Sequence, residues 1–533
     1  MKIAGCYAPG ISDHHLVYAA VNLRRQKSSP VIKKVTDFKN LNCDKLRHEL
    51  STAPWSVCEI YDDVDDVAWA WEYLYKDVMT DHLKTRKVKV RTNGLKWMND
   101  NIRKAMNRRY ALLRRAQSNP SDSEAWNLYR QQRNHVTKIM REAEAEYWND
   151  KIKNANSSSD FWRVVREMQG KSKSSVGAIK NEDGNIITNA KDKAESLNHF
   201  FFKVGERLAY GILLDNSVNE HHHIYQVIPT AELLQLNAHK IKRVIDKRVK
   251  PGKGCGPDNI TARGLKLGGD AVAVGLSYVM GKSLKTSKYP SQWKMSKVKA
   301  VPKKGNSSER GDFRPISLLS IPSKMYESIM GDHTDCHFVN KGLSSENQWS
   351  FKPNRSTELL MLHLTEVWRQ ELDRNRIVGV LFIDFKKAFD SICHKTMALK
   401  LQACGISGNV YNLIVDYLSG RKQFVEIEGQ RSSEAEVKFG VAQGSVLGPR
   451  LFSIYVNDLP QVPSCGRMEM FADDTTLYCI GDSIDDVCSK IQTSIIEIAK
   501  WCNRNVVTIH PDKTEIMLLT RKDFIGPLRP IIT

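Results

Sequence analysis

The sequence predicts an α+β fold in which a β-rich segment follows a long helical region. Residues 95–170 contain long, charged, amphipathic stretches of the kind that form helices. Residues 378–385 read VGVLFIDF, a nearly uncharged run typical of a strand buried on both faces. Residues 468–480 read MEMFADDTTLYCI, which predicts two short strands joined by a turn. The length of 533 residues allows roughly two to four domains.

Shorter elements are predicted between these segments. Residues 174–189 predict a hairpin around the Asp183-Gly184 pair, and residues 190–205 predict a helix. A linker is expected around residues 206–230. Residues 250–269 form a Gly-rich turn that leads into another helix.

Three aspartates follow the predicted strands. Asp473 and Asp474 lie at the tip of the predicted hairpin, and Asp384 ends the buried strand. Adjacent carboxylates beside a third can hold a pair of Mg²⁺ ions, which in-line phosphoryl transfer uses on the attacking and leaving oxygens. An isolated Asp-Asp pair is more often a solvated turn. A plain surface hairpin, however, leaves Asp384 unexplained.

Two further loops have polar residues suited to a substrate. Gln443 and Gly444 lie in a loop poor in side chains, before a buried helix that tolerates Pro449 in its first turn. Upstream, three cations could converge on a triphosphate: Lys303, Lys304 and Arg314. Cations in loops usually face solvent, and a Gly-containing turn usually has no function beyond reversing the chain. The inference that these loops bind a substrate therefore depends on the order of the segments along the chain.

Taken together, the segments resemble the reverse transcriptase of non-LTR retrotransposons of the jockey/CR1-like kind. The resemblance covers roughly residues 240–520 and occurs in the order of that family. The matching segments are KKGNSSERGDFRPISLL, NQWSFKPNRST, FIDFKKAFDSI, GVAQGSVLGPRLFSIYVNDL, FADDTTLY and HPDKTEIML.

The resemblance implies a role for each matching residue. It implies metal-binding aspartates at Asp384, Asp473 and Asp474, and a general acid for the pyrophosphate at Lys513. It implies a gate against the sugar 2′-hydroxyl at Phe389, a nucleotide- and template-contacting turn at Gln443 and Gly444, and triphosphate contacts at Lys303 or Lys304 and at Arg314. His510 departs from the Asn that the family usually has before Pro-Asp-Lys-Thr.

The resemblance also implies an architecture and a reaction. It implies a right-hand polymerase with fingers at residues 240–375 and a palm at 376–533, the reverse transcriptase domain as a whole covering about 296–533. The thumb is expected to be truncated, since the sequence stops at Thr533. The implied reaction adds deoxynucleotides from dNTPs to a DNA primer, or to nicked target DNA, on an RNA template. It needs two Mg²⁺ ions, with Mn²⁺ as the alternative.

The N-terminus has a second, partial resemblance. Residues 10–21, GISDHHLVYAAV, resemble the closing strand and loop of an apurinic-type endonuclease, in which Asp13 would orient His14 as a general base. The metal-binding Glu and Asn of that domain have no counterpart here. Residues 1–21 are therefore expected to be an inactive remnant.

The positive charge is concentrated in one region. The net charge is +20, and residues 84–115 alone hold twelve lysines and arginines against Asp100. This stretch belongs to a basic, helix-rich region predicted at 22–175, and connecting elements are predicted at 176–239. A stretch with so much positive charge predicts contact with nucleic-acid phosphates. The alternative is a solvated helical face.

The apolar runs and the cysteine spacing argue against other classes of protein. No apolar run approaches the ~20 residues that span a bilayer, and the eleven cysteines show no C-x-x-C spacing. These features favour an intracellular protein of the nucleus or cytoplasm, without a membrane partner. Two functions stay open, an active RNA-directed DNA polymerase and a decayed or domesticated fragment that only binds nucleic acid. An RNA-dependent RNA polymerase is disfavoured by the bulk of Phe389.

Overall fold

Helices and short strands alternate along most of the chain, which confirms the predicted α+β class. A computed structural model describes residues 3–7, 16–20, 31–38, 40–90, 95–169, 176–215, 236–252, 254–304 and 307–521. The chain divides into two compact units. The first comprises Met1–Leu41 and Leu83–Lys173, and the second comprises Asn42–His82 and Ser174–Thr533.

The described strands and helices are numbered here in chain order. The strands are β1 (Ile3–Tyr7), β2 (Leu16–Ala20), β3 (Val31–Thr36), β4 (Thr85–Val90), β5 (Ile179–Lys180), β6 (Ile186–Ile187), β7 (Met295–Pro302), β8 (Phe313–Leu318), β9 (Ile377–Ile383), β10 (Arg421–Ile427), β11 (Gln430–Arg431), β12 (Ala435–Val437), β13 (Arg467–Phe471), β14 (Asp474–Gly481) and β15 (Glu515–Leu519). The helices are α1 (Cys43–Thr52), α2 (Val64–His82), α3 (Asp100–Ser118), α4 (Ser123–Lys153), α5 (Ser158–Met168), α6 (Ala190–Asp215), α7 (Ala238–Arg248), α8 (Ala262–Thr286), α9 (Ile321–Asn340), α10 (Thr357–Asp373), α11 (His394–Ala403), α12 (Gly408–Leu418), α13 (Gly448–Tyr455) and α14 (Ile484–Arg504).

Among its described residues, the first unit combines two antiparallel strand pairs with three helices. Strand β1 pairs with β2, and β3 pairs with β4. The side chains of Asn99 and Asp122 cap the N-termini of α3 and α4 by accepting backbone N–H bonds. The helices then pack together through small and aliphatic residues such as Ala116 and Val136, which are fully buried.

In the second unit, one sheet has five strands. Strand β7 lies between its antiparallel neighbour β8 and its parallel neighbour β10, which also pairs with β11 and β12. Helix α6 packs on this sheet because Leu197 and Phe201 join Val298 and Val425 in one apolar cluster. Strands β10 to β12 belong to the segment predicted as palm, yet they extend the sheet of the segment predicted as fingers.

The other large sheet has the order β13-β14-β9-β15 and is antiparallel throughout. Val378 and Val380 of β9 pack with Leu364 and Trp368 of α10. On the opposite face, Gly379 lies against α14. The two-sided burial predicted for this strand is confirmed, since only Phe382 is exposed within β9.

Residues 42–82 were grouped by the sequence analysis with the basic region at 22–175, but they pack in the second unit. Helices α1 and α2 lie on α8. Trp55 and Trp71 are buried against the backbone of Gly275, and Lys282 pairs with Asp62 at 3.0 Å. Apolar packing over a long sequence separation, which periodicity does not report, explains the difference.

Several local predictions are confirmed. Strands β5 and β6 form the hairpin predicted at 174–189, and α6 covers the helix predicted at 190–205 but continues to Asp215. Strands β13 and β14 form the hairpin predicted at 468–480. No described helix combines the length and the apolar character that crossing a bilayer requires.

The packing of α2 on α8 predicts opposite effects for two glycines of one helix. A Cβ at Gly275 would lie 2.7 Å from ring carbons of both Trp55 and Trp71, whereas a Cβ at Gly281 meets nothing within 4 Å. Gly275→Ala should therefore lower the free energy of unfolding by about 1–3 kcal/mol. Gly281→Ala, the matched control, should raise it by up to about 1 kcal/mol. Urea denaturation measures both, and equal effects would contradict this packing.

Candidate active site

The three predicted aspartates converge because two neighbouring strands end at the same place. Thr475 of β14 pairs with Ile383 of β9, so the register sets Asp474 beside Asp384, the residue after β9. Asp473 precedes Asp474 in the turn between β13 and β14. All three side chains line one cleft of about 900 Å³.

The carboxylates influence one another's charge. The pKa of Asp473 is raised, first by burial and then by the negative charges of Asp474 and Asp384. Lys513 balances part of this charge, because its Nζ lies 2.9 Å from Oδ2 of Asp384. The cleft therefore concentrates negative charge on one wall.

These residues suit a divalent cation by the chemistry of their donors. Carboxylate oxygens are the ligands that Mg²⁺ prefers, and Mg²⁺ commonly completes its shell with water and substrate phosphate. Among the described residues, no three His, Cys, Asp or Glu side chains are already grouped tightly enough to enclose an ion. The fit thus rests on the hard oxygen donors that these three carboxylates present to one open cleft.

Cations line other parts of the same cleft. Lys303 and Arg314 line it, whereas Lys304 is not among its described lining residues. The sequence analysis missed Lys387, which also lines the cleft and whose pKa is lowered by burial and then by the charge of Lys303. The two adjacent lysines within FIDFKKAFDSI could have indicated a cation at this place in the cleft.

Phe389 lines the cleft with a supported ring. It stacks on Phe452 of α13, with ring centroids 4.5 Å apart and planes 22° apart. Its backbone carbonyl accepts a 2.9 Å hydrogen bond from the N–H of Val441. Ring and backbone are therefore both held in place.

The Gln443-Gly444 loop is tied to its surroundings on two sides. The N–H of Ser317 in β8 donates to the Gln443 carbonyl at 2.7 Å. Gly444 has a φ of +115°, and a Cβ there would lie 2.7 Å from the Ser317 carbonyl oxygen. Both its conformation and its close approach to β8 thus require glycine.

A second residue missed by the sequence analysis holds the Gln443 side chain. Asp390 Oδ1 accepts a 2.8 Å hydrogen bond from Nε2 of Gln443. Its other oxygen, Oδ2, is buried and has no hydrogen-bond partner among the described residues. Burial raises the pKa of Asp390 to about 6. The signal was a carboxylate directly after Phe389 in the segment FIDFKKAFDSI.

The turn at 510–514 positions Lys513 through the backbone. The N–H of His510 donates to the carbonyl of Asp384 at 2.8 Å, and the N–H groups of Lys513 and Thr514 both donate to the carbonyl of His510 at 3.1 Å. These bonds do not depend on the side chain at 510. The departure from Asn at His510 therefore leaves this turn intact.

Asp13 and His14 fall outside the described residues. Helix α6 contributes Val204 and Leu208 to the cleft wall, although its sequence suggested only a connecting helix.

The segment that forms most of this cleft matches a known protein family. Residues 301–526 match the family described as reverse transcriptase (RNA-dependent DNA polymerase). The match includes β9, the β13–β14 hairpin and Lys513, and so all three aspartates. Residues 98–157, on α3 and α4, match a second family, described as female sterile protein K10 C-terminal domain.

Individual relatives are similar over more of the chain. A probable RNA-directed DNA polymerase from transposon BS of Drosophila melanogaster is 24% identical over 80% of this chain and 48% of the relative. The RNA-directed DNA polymerase from mobile element jockey of Drosophila funebris is 23% identical over 75% of this chain and 45% of the relative. A probable polymerase from transposon X-element of Drosophila melanogaster is 29% identical over 44% and 26%. The chain spans about half the length, or less, of these relatives.

The buried Asp390 carboxyl predicts a pH-dependent stability difference. Its pKa is raised from 3.8 to about 6, so its contribution to stability is complete below about pH 4 and is lost as the pH rises through about 6. Between about pH 4 and pH 7, the free energy of unfolding should fall by about 2–3 kcal/mol relative to Asp390→Asn. Urea titrations across this range measure the difference. Parallel curves for the two proteins would contradict the assignment.

Proposed function

We propose that this chain carries the polymerase activity of a non-LTR retrotransposon, an RNA-directed DNA polymerase. One observation carries the proposal. In the segment that matches the reverse transcriptase family, the register of β9 and β14 brings Asp384 and Asp474 together, next to Asp473, in a cleft that cations also line. This arrangement suits transfer of a nucleotide to a primer 3′-hydroxyl.

Each wall of the cleft has a role in this proposal. Asp384, Asp473 and Asp474 would hold two Mg²⁺ ions, or Mn²⁺. When bound, such ions activate the attacking hydroxyl and stabilise charge on the transferring phosphate. Lys303 and Arg314 bind the triphosphate of the dNTP, since Arg offers paired donors to phosphate oxygens.

The remaining residues orient the reactants. Lys513 would leave Asp384 and give a proton from Nζ to the departing pyrophosphate. The ring of Phe389, stacked on Phe452, excludes a 2′-hydroxyl. Gln443 and Gly444 contact the templating base pair.

We further assign fingers to residues 240–375 and a palm to 376–533, with RNA as template and a DNA 3′ end as primer. Within this proposal, residues 1–21 descend from an endonuclease, and the protein acts inside the cell, in the nucleus or the cytoplasm. The similarity to polymerases of transposon BS, jockey and X-element supports the retrotransposon origin.

The basic face of α3 is proposed to contact nucleic-acid phosphates. Lys104, Arg108, Arg114 and Arg115 are exposed. At about 3.6 residues per turn they fall on one side of the helix, over a length of about 17 Å. Ile102 and Ala116 occupy the opposite, buried side. Four exposed cations on one side of a helix can each contact a backbone phosphate, which supports this proposal.

Loss of one carboxylate should abolish catalysis without unfolding the protein. Asp473→Asn and Asp384→Asn should each lower extension of oligo(dT) on poly(rA), with dTTP and Mg²⁺, by about 10³-fold or more. Asp482→Asn, which changes a 93% exposed carboxylate just after β14, is the control and should extend normally. Wild-type rates in both site variants would contradict the proposal. Tight primer–template binding without any extension by the natural chain would favour the binding-only alternative.

Reducing the ring at position 389 should relax sugar selection. Phe389→Val should raise the kcat/KM for a ribonucleotide relative to the deoxynucleotide by about tenfold or more, because discrimination depends on differential transition-state binding. Single-nucleotide insertion with dTTP and UTP measures the ratio. An unchanged ratio would show that Phe389 does not select against the 2′-hydroxyl. A natural chain that already prefers UTP would favour an RNA polymerase.

The basic face should govern the salt dependence of binding. Replacing Lys104, Arg108, Arg114 and Arg115 by Gln should flatten the slope of log K against log salt by up to about 3 units. Fluorescence anisotropy with a labelled primer–template gives the slope. The control is Arg369→Gln, which removes an exposed arginine already paired with Glu366 and Asp373. A slope that all three proteins share would identify the row as a solvated face.

A further inference from the structure

A buried glutamine lies directly behind the catalytic turn. Gln348 belongs to the loop between α9 and α10 and is 3% exposed. The loop runs beside the edge strand β13, because the N–H of Trp349 donates to the carbonyl of Met470 and the N–H of Met470 donates to the carbonyl of Asn347, both at 2.8 Å. The edge of the catalytic sheet is thus covered at this point.

The turn itself has an unfavourable backbone conformation. Phe471 pairs with Asp474, so only Ala472 and Asp473 form the loop of the hairpin. Ala472 has a φ of +57°, in the left-handed region where a Cβ clashes with the backbone. Two-residue hairpins need this conformation at their first loop position and usually have Gly, Asn or Asp there. Some other contact must therefore help to keep Ala472 in place.

The side-chain amide of Gln348 supplies that contact at both ends of Ala472. Its Oε1 accepts from the N–H of Ala472 at 3.1 Å, and its Nε2 donates to the carbonyl of Ala472 at 3.3 Å. Oε1 also accepts from the N–H and the Oγ of Ser350, at 3.1 and 2.8 Å. Because Ser350 fixes which end of the amide is the oxygen, the orientation of the amide toward the turn is also fixed.

We propose that Gln348 is a positioning residue for nucleotide transfer: its amide holds Ala472 left-handed and thereby sets where Asp473 and Asp474 enter the cleft. This inference rests on the proposed function for the role of the two aspartates. Ala472 and Asp473 share a peptide bond, so a rotation at Ala472 moves both carboxylates. Catalysis is sensitive to displacements of about 1 Å in such groups.

The neighbours of Gln348 make different contacts and supply a matched control. Asn347 Nδ2 donates to Oε1 of Glu469 at 2.9 Å, and Trp349 Nε1 donates to Oε2 of Glu469 at 2.7 Å. Neither side chain has a hydrogen bond to the turn among the described residues. Asn347→Ala therefore removes a partly buried amide from the same loop while leaving Ala472 held.

The test compares four variants of the full chain: Gln348→Ala, Asn347→Ala, Ala472→Gly and the double variant Gln348→Ala/Ala472→Gly. Glycine adopts a positive φ readily, so it should relieve the need for Gln348. Single-turnover primer extension gives the maximal rate, the KM for dTTP and the Mg²⁺ concentration for half-maximal rate. Electron paramagnetic resonance of Mn²⁺ gives cation affinity without any reaction. If Gln348→Ala is unfolded at the assay temperature, Gln348→Met, which keeps the side-chain length, replaces it.

We expect Gln348→Ala to lower the maximal rate about 10- to 100-fold, with the KM for dTTP within about twofold of the natural value. It should also raise the Mg²⁺ requirement and weaken Mn²⁺ binding. Asn347→Ala should stay within about threefold of the natural rate. In the double variant, Ala472→Gly should recover at least about half of the decrease in log rate that Gln348→Ala causes alone.

Equal effects of Gln348→Ala and Asn347→Ala on rate and Mn²⁺ affinity would overturn the inference, as would a double variant no better than Gln348→Ala. If the natural chain extends no primer, the proposed function fails instead. The Mn²⁺ comparison between the two alanine variants then still decides whether Gln348 positions the aspartates.

Discussion

The antiparallel pairing of β9 with β14 is the constraint on which the candidate site depends. Seven residue pairs, from Ile377↔Gly481 to Thr475↔Ile383, align the two strands so that both end at the cleft. Because side chains alternate across a strand, a slip of one residue would turn every side chain of β9 to the opposite face. Burial between α10 and α14 makes such a slip costly, since it would exchange the valines and Gly379 between the two packed faces. Apolar packing far from the cleft thus sets the positions of its carboxylates.

Electrostatics adds a second constraint. Burial, and then the negative charges of Asp474 and Asp384, raise the pKa of Asp473. Lys513 on Asp384 and the cations Lys303, Arg314 and Lys387 offset this charge within the same cleft. A cleft lined by both carboxylates and cations is suited to a substrate that carries phosphates together with divalent cations. Charge complementarity and strand register therefore favour the same chemistry.

Local patterns in the sequence predicted much of this site, and long-range contacts account for the rest. The uncharged run of β9 and the hairpin at Asp473 were predictable because burial and turn formation depend on neighbouring residues. Gln348 was not, because its partner Ala472 lies 124 residues away and nothing in NQWSFKPNRST indicates that pairing. Asp390 and Lys387 were visible in their motif, but their roles depend on burial and on Gln443, which the chain brings together only in the fold. The packing of residues 42–82 on α8 was missed for the same reason.

We infer that one pair of strand ends assembles one shared site for divalent cations. Hydroxyl-radical cleavage by bound Fe²⁺ tests it without reference to activity. The chain is incubated with Fe²⁺, ascorbate and peroxide, and mass spectrometry locates the breaks. We expect breaks beside Asp384 and beside Asp473-Asp474, suppressed together by excess Mg²⁺. Breaks at only one of these two places, or breaks that Mg²⁺ does not suppress, would contradict a shared site.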